Sequence, residues 1–347
     1  FTAAILTAKH HDGFCLWHTD TTEHSVKNSP CGVDVVKEFT DACHEYGLKA
    51  GIYLSPWDRN HPTWGREEYN DVYAAQLTEL MTRYGPIYEC WWDGAGSTEA
   101  HYDWGRWAAI VRKFQPQCVI FGCLGAAEFV DVRWVGTEEG RAGRDCWATI
   151  DPETIVVENC ADLNSGKWGG SRFIPAETNT SIRPGWFWHE SQNDQVRSPE
   201  DLVKYWFESA GRNTAILLNL PPDRRGLIHE ADAASVLRWN EYLAEMFAKL
   251  CGSTRARAVN PALTMQARNS AVTFAISSMK RENGVASPSS SLAESVGSTV
   301  VLSSGSGRAS SVNSGTKPSS GANPSSGNRS DPLPICMCSR AFRASSI

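Results

Sequence analysis

The chain has 347 residues, enough for one large domain or a domain with a smaller companion, and its 41% hydrophobic content suits a soluble globular protein. Its formal charge of −6 averages two unlike pieces: from Ser253 onward there are ten Lys/Arg against three Asp/Glu, which leaves 23 against 36 in the front part. An acidic front argues against nucleic acid or an anionic membrane surface as partner, and no run reaches the roughly 18 apolar residues that span a bilayer.

The first residues, 1-FTAAILTAK-9, read as a buried strand with no charged leader or cleavage site, so the chain reads as starting internally, any signal peptide being out of view. A helical pattern follows in 33-VDVVKEFTDACHEYG-47, then a strand in 48-LKAGIYLS-55. In 68-EYNDVYAAQLTELMTRYG-85 the apolar residues Tyr69, Val72, Tyr73, Leu77, Leu80, Met81 and Tyr84 keep helical spacing, and Gly85 is placed to end the helix. Next come a strand in 86-PIYECWW-92, a helix in 103-DWGRWAAIVRKF-114 and strands in 118-CVIFG-122, 132-VRWVG-136 and 183-RPGWFW-188. The helix in 197-RSPEDLVKYWFESAG-211 carries its own start signal, with Ser198 as N-cap and Pro199 in the first turn. A strand in 214-TAILLNL-220 and a helix in 231-ADAASVLRWNEYLAEMFAKL-250 complete the front part.

None of these strands alternates cleanly with polar residues, as expected of strands covered on both faces. Strand and helix in turn mean parallel strands joined by crossovers, hence α/β, either a (β/α)8 barrel or a doubly wound sheet. All 14 tryptophans lie between Trp17 and Trp239, so the division is a catalytic-type domain over 1–252 and a Ser/Gly-rich, low-complexity tail over 253–347 that is expected to be disordered. The eleven cysteines are odd in number and widely spaced with no CxxC, which points to buried free thiols and not a metal or disulfide framework.

In parallel α/β folds, chemistry gathers where strands end. The first run ends in Lys9, His10, His11 and Asp12, the second in Tyr53, Ser55, Trp57 and Asp58, the third in Asp93, and the run around Trp134 in Glu138 and Glu139. Two carboxylates at one mouth among many aromatics suit carbohydrate, whose CH faces pack on rings while polar groups take the hydroxyls. Each carboxylate could equally cap a helix or pair with an arginine. His10 and His11 converge only if the strand has ended or bulged there, and no third ligand type joins them, so neither metal nor cofactor is expected.

With 5-ILTAKHHDGFCLW-17, 49-KAGIYLSPWDRN-60, 90-CWWDGAG-96, 133-RWVGTEEG-140, 181-SIRPGWFWH-189 and 217-LLNLPPDRRGLIHE-230, the chain resembles the α-L-fucosidases of glycoside hydrolase family 29 from Phe1 to about Leu250. The resemblance implies a (β/α)8-like TIM barrel, here lacking its N-terminal strands and with the low-complexity tail where relatives carry a β-sandwich. It implies retaining hydrolysis of terminal α-L-fucose through a covalent fucosyl-enzyme. By motif, Asp93 matches the nucleophile. Glu138 matches the acid/base of the branch acting on α-1,3/1,4-linked fucose, with Glu139 as the fallback. His10 and His11 match the pair that binds fucose hydroxyls, Tyr53 lines the pocket, and Trp186 supplies an apolar wall. The implied partner is a fucosylated oligosaccharide or glycoprotein glycan, and the implied location extracellular, periplasmic or lysosomal. Glu177, Arg183 and Asp58 lie in matching motifs, but Arg183 and Asp58 suit ion pairs or loop hydrogen bonds. The alternative reading is a non-catalytic fragment or glycan-binding pseudoenzyme that keeps the pocket.

Overall fold

The strand β1 (Ala3–Lys9) is buried at every position, as a strand covered on both faces must be. The structure, a computed structural model, describes residues 1–122, 124–155, 162–253 and 298–302. After β1 come α1 (Val35–Glu45), β2 (Lys49–Leu54), α2 (Tyr69–Arg83), β3 (Glu89–Trp91), α3 (Trp104–Phe114), β4 (Val119–Gly122) and β5 (Val132–Trp134). A side excursion follows, in which β6 (Thr149–Ile150) and β7 (Arg172–Phe173) pair antiparallel around the single-turn α4 (Asp162–Ser165). The chain then returns with β8 (Ala176–Ser181), α5 (Pro199–Glu208), β9 (Thr214–Asn219) and α6 (Glu230–Ser253).

Seven strands pair in parallel in the order β1, β2, β3, β4, β5, β8, β9. An eighth, β10 (Ser298–Leu302), lies parallel to both β9 and β1 and closes the ring. The tail over 253–347 is expected from its composition to be disordered, yet residues 298–302 form this strand. The structure differs because Ser-Thr-Val-Val-Leu is a short β-forming run, and the edges of β1 and β9 each offer a row of backbone groups that a strand satisfies. The rest of the tail lies outside the described residues.

A second correction concerns the strand expected at 183–188. Pro184 and Gly185 cannot sustain a ladder there, and the strand is instead the preceding Ala176–Ser181, polar in sequence yet buried throughout. Polar residues occupy it because its inward face meets polar groups of the interior. The helix starts follow their caps: Asp34 accepts from the Lys37 amide at 2.9 Å, and Ser198 and Asp201 form a reciprocal capping box at the head of α5.

Two apolar layers form. Inside the ring Ile5, Tyr53, Trp91, Phe121 and Leu217 pack together; outside it the helices bury Tyr73, Trp92, Trp104 and Trp107 against the strands. Pairing aligns Tyr53 with Trp91 and Trp91 with Phe121, so one inward layer is a ladder of aromatic rings. Because strand residues alternate in direction, Glu89, Trp91 and the following Asp93 share the inward side of β3. The six cysteines whose side chains are described are free, five of them buried. Among the described residues no helix is long and apolar enough to cross a membrane.

Candidate active site

Three strand ends build one half of the mouth. Asp93, just past β3, accepts a hydrogen bond from the Tyr53 hydroxyl at 2.8 Å on Oδ2 and from the Ala95 amide at 2.8 Å on Oδ1. Burial and the neighbouring Asp93 charge push the Tyr53 phenol well above its usual range, so it stays a donor at any working pH. Beyond Asp93 the chain turns at Gly96 with φ +81°, where a Cβ would come within 2.4 Å of the Tyr102 hydroxyl, so glycine is needed for that turn.

His11 lies with Nε2 3.8 Å from Asp93 Oδ2 and Nδ1 2.7 Å from the Ser55 hydroxyl. His10 lies against His11 at 3.9 Å and stacks over Tyr53. Burial, and then the neighbouring His11 charge, lower His10 to about 3; burial and the charges of Arg59 and Lys9 lower His11 to about 4. Both rings are therefore neutral near pH 7, and the contact of His11 with Asp93 is not an ion pair there. Neutral imidazoles can each donate and accept, which suits hydroxyl groups of a sugar.

The two histidines converge because β1 ends at Lys9, whose buried ammonium reaches Tyr69 and Gln76 at 2.8 Å and Asp58 at 3.3 Å. Asp58 also accepts from the amides of Asn60 and His61. Asp58 is thus a structural anchor, and Arg183 is another, in a fully buried pair with Asp232 at 2.8 Å.

The other half of the mouth comes from the loops after β5 and β8. Glu138 is exposed, and its Oε2 accepts from the Trp186 indole N–H at 3.2 Å. Glu139, its neighbour, is engaged by the Arg141 guanidinium, which leaves Glu138 as the carboxylate turned to the aromatic loop. Phe187 sets its ring edge on His10 at 5.1 Å, so contacts run from Asp93 through Tyr53, His10, Phe187 and Trp186 to Glu138. The loop itself is pinned by Asn219, which donates to the Trp186 carbonyl and the Ser181 hydroxyl at 2.9 Å each. Trp186, expected as an apolar wall, also orients a carboxylate.

Of the six site residues chosen from sequence, His10, Tyr53, Asp93, Glu138 and Trp186 fall in this one chain of contacts, and His11 touches it at His10 and Asp93. Sequence reasoning gave no role to Phe187, and it noted Ser55 and Trp57 at a strand end without their contacts to His11, a hydrogen bond with Ser55 and a ring centre 4.9 Å away in Trp57. Their signal was position: each stands within a few residues of a strand end or in the loop beside Trp186. Among the described residues no cluster of three or more His, Cys, Asp or Glu is placed to hold a metal.

The sequence profile described as "Alpha-L-fucosidase" matches residues 3–246. "Alpha-L-fucosidase 1" of Arabidopsis thaliana is 41% identical over 256 residues, covering 71% of this chain and 49% of that protein. A solved protein of Bacteroides thetaiotaomicron is 50% identical with a TM-score of 0.66, covering 69% of this chain and 55% of its own. A Ruminococcus gnavus GH29 fucosidase, solved in complex with fucose, is 31% identical with a TM-score of 0.62 and covers 69% of this chain and 54% of its own. The chain spans about half the length of the curated relatives it matches, 49% of the Arabidopsis thaliana protein and 48% of one from Oryza sativa subsp. japonica.

Proposed function

The chain belongs to the α-L-fucosidase family, and from that membership we propose that it acts as a retaining α-L-fucosidase on terminal fucose, α-1,3/1,4-linked, of oligosaccharides and glycoprotein glycans. Asp93 is the nucleophile: it attacks the anomeric carbon while Glu138 gives its proton to the leaving glycosidic oxygen. Glu138, then ionised, takes a proton from water, which attacks the fucosyl–Asp93 ester and releases fucose with its configuration retained. His10 and His11 take sugar hydroxyls, Tyr53 holds Asp93, and Trp186 walls the pocket and aims Glu138. We read the ring of parallel strands, with β10 between β9 and β1, as a (β/α)8 barrel of the TIM type.

The observation that carries this reading is the contact chain from Asp93 to Glu138, with one carboxylate gripped by Tyr53 and the other aimed by Trp186. Retention requires the two carboxyls about 5 to 5.5 Å apart across a bound sugar. Asp93→Asn should abolish hydrolysis of native and activated substrates alike. Glu138→Ala should abolish cleavage of native glycans yet still cleave an aryl fucoside with a good leaving group, and added azide should restore turnover as fucosyl azide. Wild-type activity of Glu138→Ala on a Lewis-type trisaccharide would overturn the assignment.

A further inference from the structure

We propose that Glu177 is a positioning residue for the reaction of Asp93, acting through Trp91 and Tyr53; this rests on the reading of Asp93 as nucleophile. Glu177 sits on β8, 2% exposed, inside the ring. Its Oε1 accepts the Trp91 indole N–H at 3.0 Å, a contact between residues 86 positions apart in the chain. Trp91 in turn stacks on Tyr53, ring centres 5.2 Å apart at 26°, and Tyr53 donates to Asp93 at 2.8 Å. Phe121 covers Trp91 from the β4 side at 3.9 Å.

A carboxyl in this layer is costly if packing is all it serves. Taking a carboxylate out of water is unfavourable by several kcal/mol, and an apolar residue of similar volume would fill the space more cheaply. Here burial lifts Glu177 to about 7, and Glu89, also inside the ring, is driven well above its usual range by burial and the Glu177 charge. Glu89 Oε1 finds no hydrogen-bond partner among the described residues, so this pair does not satisfy itself. What Glu177 supplies is a fixed acceptor for one edge of the Trp91 ring. Stacking alone does not choose between the two flipped orientations of an indole about its Cβ–Cγ bond. The N–H bond to Glu177 selects one orientation, hence the surface against which Tyr53 rests and the direction of its hydroxyl. A shift of about 1 Å at a reacting group can cost about 100-fold in rate.

The test uses the full chain and an aryl α-L-fucoside. Wild type must turn it over and Asp93→Asn must not; if that comparison fails, the fucosidase reading falls and not this inference. Glu177→Gln keeps an oxygen acceptor and should hold kcat/KM within about threefold, whereas Glu177→Leu should lower kcat by about 10- to 100-fold with KM within about twofold, at a temperature where circular dichroism reports native protein. Trp91→Phe keeps a ring in the stack without the N–H and should lose kcat similarly, the double variant Glu177→Leu/Trp91→Phe losing no more than either single one. Multiplying losses in the double variant, or wild-type kcat in Glu177→Leu, would overturn the proposal. Should Glu177→Leu not fold, Trp91→Phe decides alone, since wild-type kcat there breaks the link.

Discussion

At Asp93 the two carboxylate oxygens are held differently: the Ala95 amide fixes Oδ1, while Oδ2 takes the Tyr53 hydroxyl and faces His11. Losing the hydroxyl takes the Tyr53 donor away from Oδ2, so Tyr53→Phe should lower kcat on an aryl fucoside by about 10- to 100-fold with little change in KM, in steady-state kinetics. The histidines give a pH dependence whose sign follows from burial. Their folded values, about 3 for His10 and about 4 for His11, lie below the ordinary 6.5, so between those limits the unfolded chain binds protons that the native chain does not. Stability should therefore fall as pH drops from about 6.5 and level off below about 3. The thermal midpoint should drop less from pH 7 to pH 4 in a His10→Asn/His11→Asn variant than in wild type. Glu177 has the opposite sign. Its folded value of about 7 against 4.5 means that the native chain keeps a proton the unfolded one releases, and Glu177→Gln should gain on wild type as pH rises through that interval. The four strand-end residues His10, His11, Tyr53 and Asp93 were legible because parallel strands deliver their last side chains to one mouth. Lys9 with Gln76, and Trp91 with Glu177, were not, because these contacts join residues 67 and 86 positions apart.

Among the elements, the loop after β8 shows how a site is held from behind. Arg183 spends its guanidinium on Asp232 at the head of α6, on the His189 carbonyl and on Asn193, and between these anchors the loop presents Trp186 and Phe187. Removing one partner of a fully buried pair leaves a charge unpaired, at a cost of about 3 to 5 kcal/mol. Asp232→Asn should therefore lower the denaturant midpoint and also kcat on native glycans, because Glu138 loses a steady Trp186 partner. An unchanged midpoint would show the pair to be dispensable. This loop reads as a strand in sequence because Trp, Phe and Trp are β-formers. β8 escapes notice because Ala-Glu-Thr-Asn-Thr-Ser is too polar for a rule built on apolar runs, although every residue of it is buried. Helices fared better: Ser198, Pro199 and Asp201 start α5 as a capping box, a signal contained in four consecutive residues.

For the whole molecule, the ring is the structural requirement, since unpaired parallel edges at β1 and β9 would expose backbone groups beside an apolar interior. Strand β10 meets both edges, so a chain ended at 253 should melt at lower temperature and bind more of an apolar dye than the full chain. Equal melting would show that the ring does not depend on it. The alternation of strand and helix was legible from β1 to α3 and again from α5 to α6, but the source of the closing strand was not, because five β-forming residues in a Ser/Gly-rich stretch are too weak a signal without their two partner edges. The central claim, that Asp93 becomes covalently bound to the sugar, can be read directly. A 2-deoxy-2-fluoro-fucosyl donor with a good leaving group slows both steps while keeping the first feasible, so the ester should accumulate. Peptide mapping by mass spectrometry of the treated full chain should then find one 2-fluorofucosyl group, on Asp93 and absent from Asp93→Asn. A label on Glu138 or Glu177, or turnover with no label on Asp93, would contradict the account.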